Sequence, residues 1–258
     1  MPTSDPTLID QHWSEGLILT KNKMGMMVES MQEYDRLFIE HVRSSPKVLK
    51  VADLGVAYGY TSKELLKAGA MVTANDLSDE HLQVLWNSVT EEERSRLQLA
   101  PGNVLNIEFP ENSFDGILAC RWVHFLTGEE LRKVLNLCWK WLVPGGMLCL
   151  TAESVHSGGF VKVFSRYEEL KAKGEEWPGY STKEELTFGL LDFMPDMMHF
   201  LDTDVVDREL KKAGFTIEKI AYEGRPLYKK EAQKDPMDVK ELELLPSRTS
   251  DRLISLID

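Results

Sequence analysis

Residues 51–60 constrain the fold more than any other part of this 258-residue chain. Apolar residues run up to Leu54, glycines follow at Gly55 and Gly59, and an amphipathic pattern begins at Thr61. This order predicts a buried strand, a tight glycine loop and a helix. Such a unit points the N–H groups of the loop and the helix N-terminus into a crevice at the carboxyl edge of a parallel sheet. We therefore predict an α/β fold with a ligand site at this loop.

Asp53, the acidic residue of this predicted strand, falls at its carboxyl end, just before the first glycine. A carboxylate there repels a pyrophosphate but suits a ligand that carries an ammonium group. The dinucleotide pattern G-x-G-x-x-G would need glycines at 55, 57 and 60, where the chain has Gly, Ala and Tyr. The loop therefore disfavours a nicotinamide oxidoreductase. A βα turn that binds nothing remains the alternative.

The sequence of residues 53–59 resembles the D/E-x-G-x-G-x-G loop of class I S-adenosylmethionine-dependent methyltransferases. The resemblance implies S-adenosyl-L-methionine as the cofactor and a doubly wound, mostly parallel seven-stranded sheet. It assigns cofactor binding to the loop residues Asp53, Gly55, Ala57, Tyr58 and Gly59. Ala57 replaces the middle glycine of the pattern, which is harmless where φ is negative and strained where φ must be positive.

Asp76 ends the second predicted strand, 71–76, about 20 residues beyond the first acid, where a carboxylate typically accepts the hydroxyls of a ribose. The alternative is a plain helix cap, a role that Ser78 is also suited to fill. Asn103 stands where the family usually has an Asp that accepts from the adenine amino group, and an amide oxygen can accept as well. The resemblance places these further residues beside the cofactor: Leu77, Asn103, Val104 and Cys120.

Two further segments resemble the family: the turn Phe-Pro-Glu-Asn-Ser-Phe-Asp at 109–115 before the fourth strand, and Pro-Gly-Gly at 144–146 before the fifth. Asp115 is expected to anchor the fourth strand. Residues 120–124 should border the substrate, since they follow that strand at the switch point of the sheet. His124 is the candidate general base and Arg121 a candidate anion clamp. For His124, packing at a helix start remains the alternative.

We predict a single domain over residues 1–258. It comprises an N-terminal helical cap (1–46), a cofactor-binding core (47–151), a helical insertion or lid after strand five (152–203), and the last part of the sheet (204–258). The cap carries a helical stripe from Met26 to Val42, and its candidate lid contacts are Trp13, Lys21 and Lys23. Strands six and seven are predicted at 214–222 and 252–257.

The composition narrows the partners. With 30 Lys+Arg against 42 Asp+Glu, the formal net charge is −12, which argues against DNA as a partner. The three cysteines have neither disulfide nor zinc spacing, and no apolar run approaches the ~20 residues that span a membrane. We expect a cytoplasmic protein without a metal site.

Absent motifs narrow the acceptor. No Asn/Asp-Pro-Pro-Tyr/Phe clamp for adenine methylation follows strand four. We therefore predict methyl transfer to an O, N or C nucleophile of a small or medium-sized acceptor. A protein methyltransferase and a non-catalytic binding protein with this fold remain the alternatives.

Overall fold

The computed structural model describes residues 17–22, 24–156, 161–186 and 195–222. Within these ranges short strands alternate with helices for most of the chain. In chain order, the elements are β1 (Leu17–Leu19), β2 (Met26–Val28), α1 (Glu33–Ser44), β3 (Lys50–Leu54), α2 (Tyr60–Lys67), β4 (Met71–Asp76), α3 (Asp79–Ser88), α4 (Glu91–Arg94), β5 (Leu97–Pro101), β6 (Phe114–Cys120), α5 (Gly128–Trp141), β7 (Leu142–Thr151), α6 (Val161–Ala172), β8 (Tyr180–Thr182), β9 (Met197–His199) and α7 (Thr203–Lys212). A single 3-10 turn, Val123–Phe125, lies between β6 and α5.

Among the described residues, the central sheet has five strands in the order β5-β4-β3-β6-β7. Every neighbouring pair runs parallel. The strand order reverses between β3 and β6, so the connections that leave these two strands depart in opposite directions. In an open parallel sheet this reversal opens a crevice at the carboxyl ends of the strands. The predicted α/β, doubly wound architecture is confirmed.

Both faces of the sheet are buried, because helices pack against each of them. Neighbouring residues of a strand point to opposite faces. Ala52 and Leu54 pack into one hydrophobic cluster with α5 and α7, whereas Val51 packs into a second cluster with α1, α2 and α3. Helix α1 lies close on its face: a Cβ built on Gly116 of β6 would come within 2.7 Å of the Phe38 ring. This packing brings the start of α1 toward the site described below.

Asp115 anchors the sheet as predicted. One of its carboxylate oxygens accepts the backbone N–H of Lys50 at 2.9 Å, and the other accepts Lys47 Nζ at 2.7 Å. These bonds hold the pKa of Asp115 below its ordinary value, although partial burial opposes them. The carboxylate thus ties the start of β6 to the start of β3.

Three predicted elements differ from the structure. Residues 214–222 form no strand, so the predicted strand six is wrong, and the predicted strand at 252–257 lies outside the described residues. The helical stripe holds only from Glu33 onward, because Met26–Val28 instead pairs antiparallel with Leu17–Leu19. The segment after β7 is not wholly helical, since β8 and β9 form an antiparallel pair beyond α6. Across the described ranges, none of the helices is long and apolar enough to cross a bilayer.

Candidate functional site

A cavity of about 330 Å³ lies at the carboxyl edge of the sheet, where the loops after β3, β4, β5 and β6 meet. The predicted site residues that line it are Asp53, Gly55, Ala57, Asp76, Leu77, Asn103, Val104, Cys120 and His124. Tyr58 and Gly59, also predicted, are not among the described residues that line it. Gly59 shapes the loop, and the Tyr58 hydroxyl contacts the hairpin formed by β1 and β2.

The glycine loop after β3 has a shape that requires glycine at two positions. Gly55 has φ +71°, and a Cβ there would lie 2.5 Å from Cδ1 of Trp122. Gly59 has φ +74°, and a Cβ there would lie 2.5 Å from the side chain of Leu85. Left-handed backbone and the lack of space for a side chain explain why the loop carries glycines here.

Ala57 also adopts a left-handed conformation, with φ +47°. The sequence did not show whether position 57 needs a positive φ. In the structure φ is positive, so the alanine backbone is strained there. Left-handed backbone costs an L-residue roughly 1–2 kcal/mol. The backbone N–H of Ala57 donates to Asp76 Oδ2 at 2.8 Å, and this bond between neighbouring loops holds the turn in its shape.

Asp76 is buried and uses both oxygens within the protein. Oδ2 accepts from Ala57, while Oδ1 accepts the backbone N–H of Ser78 at 2.8 Å and lies 3.0 Å from Nδ1 of His81. A carboxylate has about four acceptor sites, so capacity remains for a ligand hydroxyl. Ser78 caps α3, its side chain accepting from the N–H of His81. The cap is therefore made by Ser78, and ribose binding by Asp76 stays a prediction.

His81 is a site residue that sequence reasoning missed. Its ring is 1% exposed, lines the cavity and packs edge-on against Tyr58, with ring centroids 4.9 Å apart. Because a carboxylate only accepts, the contact with Asp76 places the ring proton on Nδ1. Nε2 is then an acceptor, and it is buried without a hydrogen-bond partner within the described part of the chain.

Asn75 joins three strand ends beneath the cavity. Its backbone carbonyl accepts the N–H groups of Gly55 at 2.8 Å and Val56 at 3.0 Å. Its side-chain amide donates to the carbonyls of Ala100 at 2.7 Å and Gly102 at 2.9 Å. One buried residue therefore fixes the loop after β3 relative to the loop after β5.

Asp53 is buried at the end of β3, and Ser62 Oγ donates to its Oδ2 at 2.6 Å. Burial raises the pKa of this carboxyl to about 7, and the charges of Asp35 and Asp76 add to the rise, while Ser62 and Arg121 oppose it. Near neutral pH, Asp53 is therefore poised between its neutral and charged forms. A ligand ammonium at this position favours the charged form.

We predict that Asp53→Asn stabilises the ligand-free protein above neutral pH. The raised pKa means that the folded state binds a proton more tightly than the unfolded state, so stability falls as pH rises from about 4 to about 7. The variant lacks this loss, and we expect it to gain on the order of 2 kcal/mol at pH 8. Urea unfolding of both proteins at pH 5 and pH 8 measures the difference. A gain of equal size at both pH values would contradict the titration of Asp53.

The adenine-side residues adopt a local turn. Asn103 is exposed, and its side-chain oxygen accepts the backbone N–H of Leu105 at 2.9 Å. The predicted bond to an adenine amino group would use the second lone pair of that oxygen. Val104 is buried against the core. Cys120 ends β6, and burial raises the pKa of its thiol well above the ordinary value, so the thiol is neutral.

His124 also lines the cavity, and its Nδ1 accepts a hydrogen bond from the backbone N–H of Glu153 at 3.2 Å. A neutral ring then carries its proton on Nε2. That geometry favours His124 as a hydrogen-bond donor over a base, and its predicted role as general base stays a prediction. Glu153 also lines the cavity, and sequence reasoning missed it.

The hairpin formed by β1 and β2 lines the cavity through Thr20, Asn22, Met24, Gly25 and Met27. The backbone N–H of Lys21 donates to the Tyr58 hydroxyl at 3.0 Å. A Cβ built on Gly25 would lie 3.1 Å from the Phe125 ring. The hairpin thus contacts both sides of the cavity. Of the predicted lid contacts, Trp13 and Lys23 lie outside the described residues.

The reversed parallel sheet, the glycine loop and the acid at the end of the next strand together define the class I methyltransferase fold. Residues 52–150 match the family model described as Methyltransferase domain. The matched residues, which make up less than half of this chain, are therefore similar to a methyltransferase domain.

Individual relatives agree with this assignment. The chain is 31% identical over 97 residues to a demethylmenaquinone methyltransferase of Listeria monocytogenes serotype 4a (strain HCC23), a match that covers 37% of this chain and 40% of that protein. A crystal structure of an S-adenosylmethionine-dependent methyltransferase from Mesorhizobium loti is 16% identical, with a TM-score of 0.52 over 72% of this chain and 82% of that one. A methyltransferase structure from Methanosarcina mazei is 18% identical, with a TM-score of 0.52 over 69% and 84% of the two chains. At these identities the structures establish the fold.

The residues present fit S-adenosylmethionine. Asp76 retains an acceptor site for a ribose hydroxyl, and Asp53 offers a carboxylate to an ammonium group. Gly55 lets the loop backbone face the cavity without a side chain. When bound, this cofactor supplies a methyl group activated by a sulfonium. Within the described ranges, no group of three or more His, Cys, Asp or Glu side chains is arranged to hold a metal ion.

Proposed function

We propose that this protein transfers a methyl group from S-adenosylmethionine to an O, N or C nucleophile of a small or medium-sized, partly apolar acceptor. One observation carries the proposal: the predicted cofactor residues and an apolar wall line the same cavity. The apolar residues of that wall are Met24, Met27, Phe125, Leu126 and Met198. Apolar walls with few polar groups are typical of small-molecule sites.

The residues contribute mainly by positioning. A sulfonium methyl group is already activated, so orientation of the nucleophile supplies much of the rate. The β1–β2 hairpin lines the cavity, and His124 and Glu153, which also line it, offer polar contacts to an acceptor. A deprotonating base is needed only if the nucleophile is protonated at working pH.

The acceptor class is supported by two further observations. The Listeria relative is named for a small-molecule acceptor, although the matched segment spans only about two fifths of its length. The net charge of −12 disfavours a polyanion such as DNA. A protein acceptor would require a groove wide enough for a peptide chain. A non-catalytic protein with this fold would bind the cofactor weakly or not at all.

Calorimetric titration of the purified protein with S-adenosylmethionine and S-adenosylhomocysteine tests cofactor binding, with NADH as the control ligand. We expect both sulfur ligands to bind and NADH to give no heat. Absence of heat and of a thermal shift with millimolar S-adenosylhomocysteine would contradict the proposal.

The acceptor is tested separately with methyl-labelled cofactor in a cell extract divided by molecular size. Label that accumulates in the low-mass fraction supports a small acceptor. Label that accumulates in protein indicates the rival acceptor class. No label in either fraction, from a protein that binds the cofactor, would contradict methyl transfer to an acceptor present in that extract.

A further inference from the structure

Arg121 and Asp35 form an ion pair beside Asp53, where the start of α1 meets the end of β6. Arg121 Nη2 lies 3.5 Å from Asp35 Oδ2, and the Asp35 side chain is completely buried. The same carboxylate oxygen accepts the backbone N–H of Gln32 at 3.2 Å. Asp35 raises the pKa of Asp53 and Arg121 lowers it. The three charges therefore share one region of the site.

The pairing between these residues is incomplete. Arg121 lines the cavity, yet its Nη1 is buried without a hydrogen-bond partner, as is Asp35 Oδ1. A buried donor of this kind normally has a partner. Within the described residues the guanidinium thus retains donors that the protein does not use.

The backbone at Arg121 is itself constrained. Its φ is +62°, a left-handed conformation that an arginine rarely adopts. The backbone N–H is held by the carbonyl of Thr151 at 2.9 Å, at the end of β7. Strain of this kind persists where the surrounding structure determines it, and it is concentrated at ligand sites. The backbone of Arg121 is therefore held in place, and its side chain lines the cavity.

We propose that Arg121 binds the α-carboxylate at the amino-acid end of S-adenosylmethionine, with Asp35 as its positioning residue. This inference rests on the proposed function. The planar guanidinium matches a carboxylate in geometry and charge. Asp53, close to Arg121, supplies the negative charge that an α-ammonium needs. A positive and a negative side chain side by side complement the two opposite charges of an amino acid.

The test compares two ligands by calorimetry: S-adenosylhomocysteine, and 5′-methylthioadenosine, which keeps the adenosine and the sulfur but lacks the amino-acid end. We expect Arg121→Gln to weaken S-adenosylhomocysteine binding roughly 10- to 100-fold, because a charge-assisted bond is lost. Binding of 5′-methylthioadenosine should change by less than about threefold, since it never made that bond. Arg121→Lys should fall between, because the charge remains but the fork is lost.

Asp35→Asn tests the positioning role with the same pair of ligands. We expect it to weaken S-adenosylhomocysteine binding while leaving 5′-methylthioadenosine binding unchanged, whereas a purely structural role would weaken both. Arg43→Gln is the matched control for Arg121→Gln. It lies on the exposed side of α1, where its side chain is 51% exposed and pairs with Glu40, and it should change neither affinity.

Two results would overturn the inference: unchanged S-adenosylhomocysteine binding by folded Arg121→Gln, or an equal loss for both ligands in Arg121→Gln and Arg121→Lys. Thermal melting checks that each variant is folded. Wild-type protein that binds neither ligand would instead contradict the proposed function, so the two failures are distinguishable.

Discussion

Asp76→Ala is expected to weaken binding of S-adenosylhomocysteine by about 2–4 kcal/mol, or roughly 30- to 1000-fold. The substitution removes the acceptor that we propose for a ribose hydroxyl. It also frees the backbone N–H of Ala57, which donates to Asp76 Oδ2 at 2.8 Å, so the strained turn loses its support. Calorimetric titration measures the affinity, and circular dichroism shows whether the variant is folded.

Asp79→Ala is the control for that prediction. Asp79 lies in the first turn of α3, three residues beyond Asp76, and is exposed. It should have no measurable effect, although it removes the same charge. Affinity that is unchanged in folded Asp76→Ala would return Asp76 to a purely structural role.

Asn75→Asp is expected to lower the free energy of unfolding by about 3–5 kcal/mol. The side-chain amide nitrogen lies 2.7 Å from the carbonyl of Ala100 and 2.9 Å from that of Gly102. Aspartate places a buried oxygen against both carbonyls, so two hydrogen bonds are replaced by repulsion. Urea unfolding at pH 8 measures the loss, since the carboxylate is then the expected form.

Asn106→Asp provides the matched control, because it makes the same chemical change at an exposed position in the following loop. It should shift stability by less than about 0.5 kcal/mol. A comparably small loss for Asn75→Asp would show that Asn75 does not hold the two loops together.

The elements around the cofactor were predictable because local sequence determines them. Strand β4 has the predicted bounds, Met71–Asp76. The short segment between Gly69 and the residues that start α3 has room for one strand only. The tight turn that contains Gly55 and Gly59 was predictable because left-handed backbone favours glycine. Positions of this kind carry their own signal in the sequence.

The partners of those residues were not predictable, because they come from distant parts of the chain. Nothing near His81 indicates that its ring lies against Tyr58, and Asp35 lies far along the chain from Arg121. Such contacts arise only once α1 and the sheet are packed together. Glu153 likewise acquires its place in the cavity from the end of β7.

The wrong prediction at 214–222 has a physical reason. Phe215 and Ile220 are buried, and the residues just after Phe215 alternate between exposed and partly buried. Alternation reports which face of an extended chain is covered. It does not report whether the backbone pairs with a neighbouring strand, and residues 214–222 pair with none of the strands in the described part of the chain. For Met26–Val28, three residues are too few to distinguish a strand from the start of a helix.

The left-handed turn at Ala57 bears on how tightly a ligand of this loop binds. Asp76 holds this turn in the ligand-free protein, so the loop has lost its conformational entropy before a ligand arrives. Ordering a loop during binding lowers affinity, whereas a preformed loop avoids that loss. A ligand of this loop therefore binds to a backbone that is already ordered. The free-energy cost of ordering the loop lowers the stability of the folded protein and does not lower the affinity for the ligand.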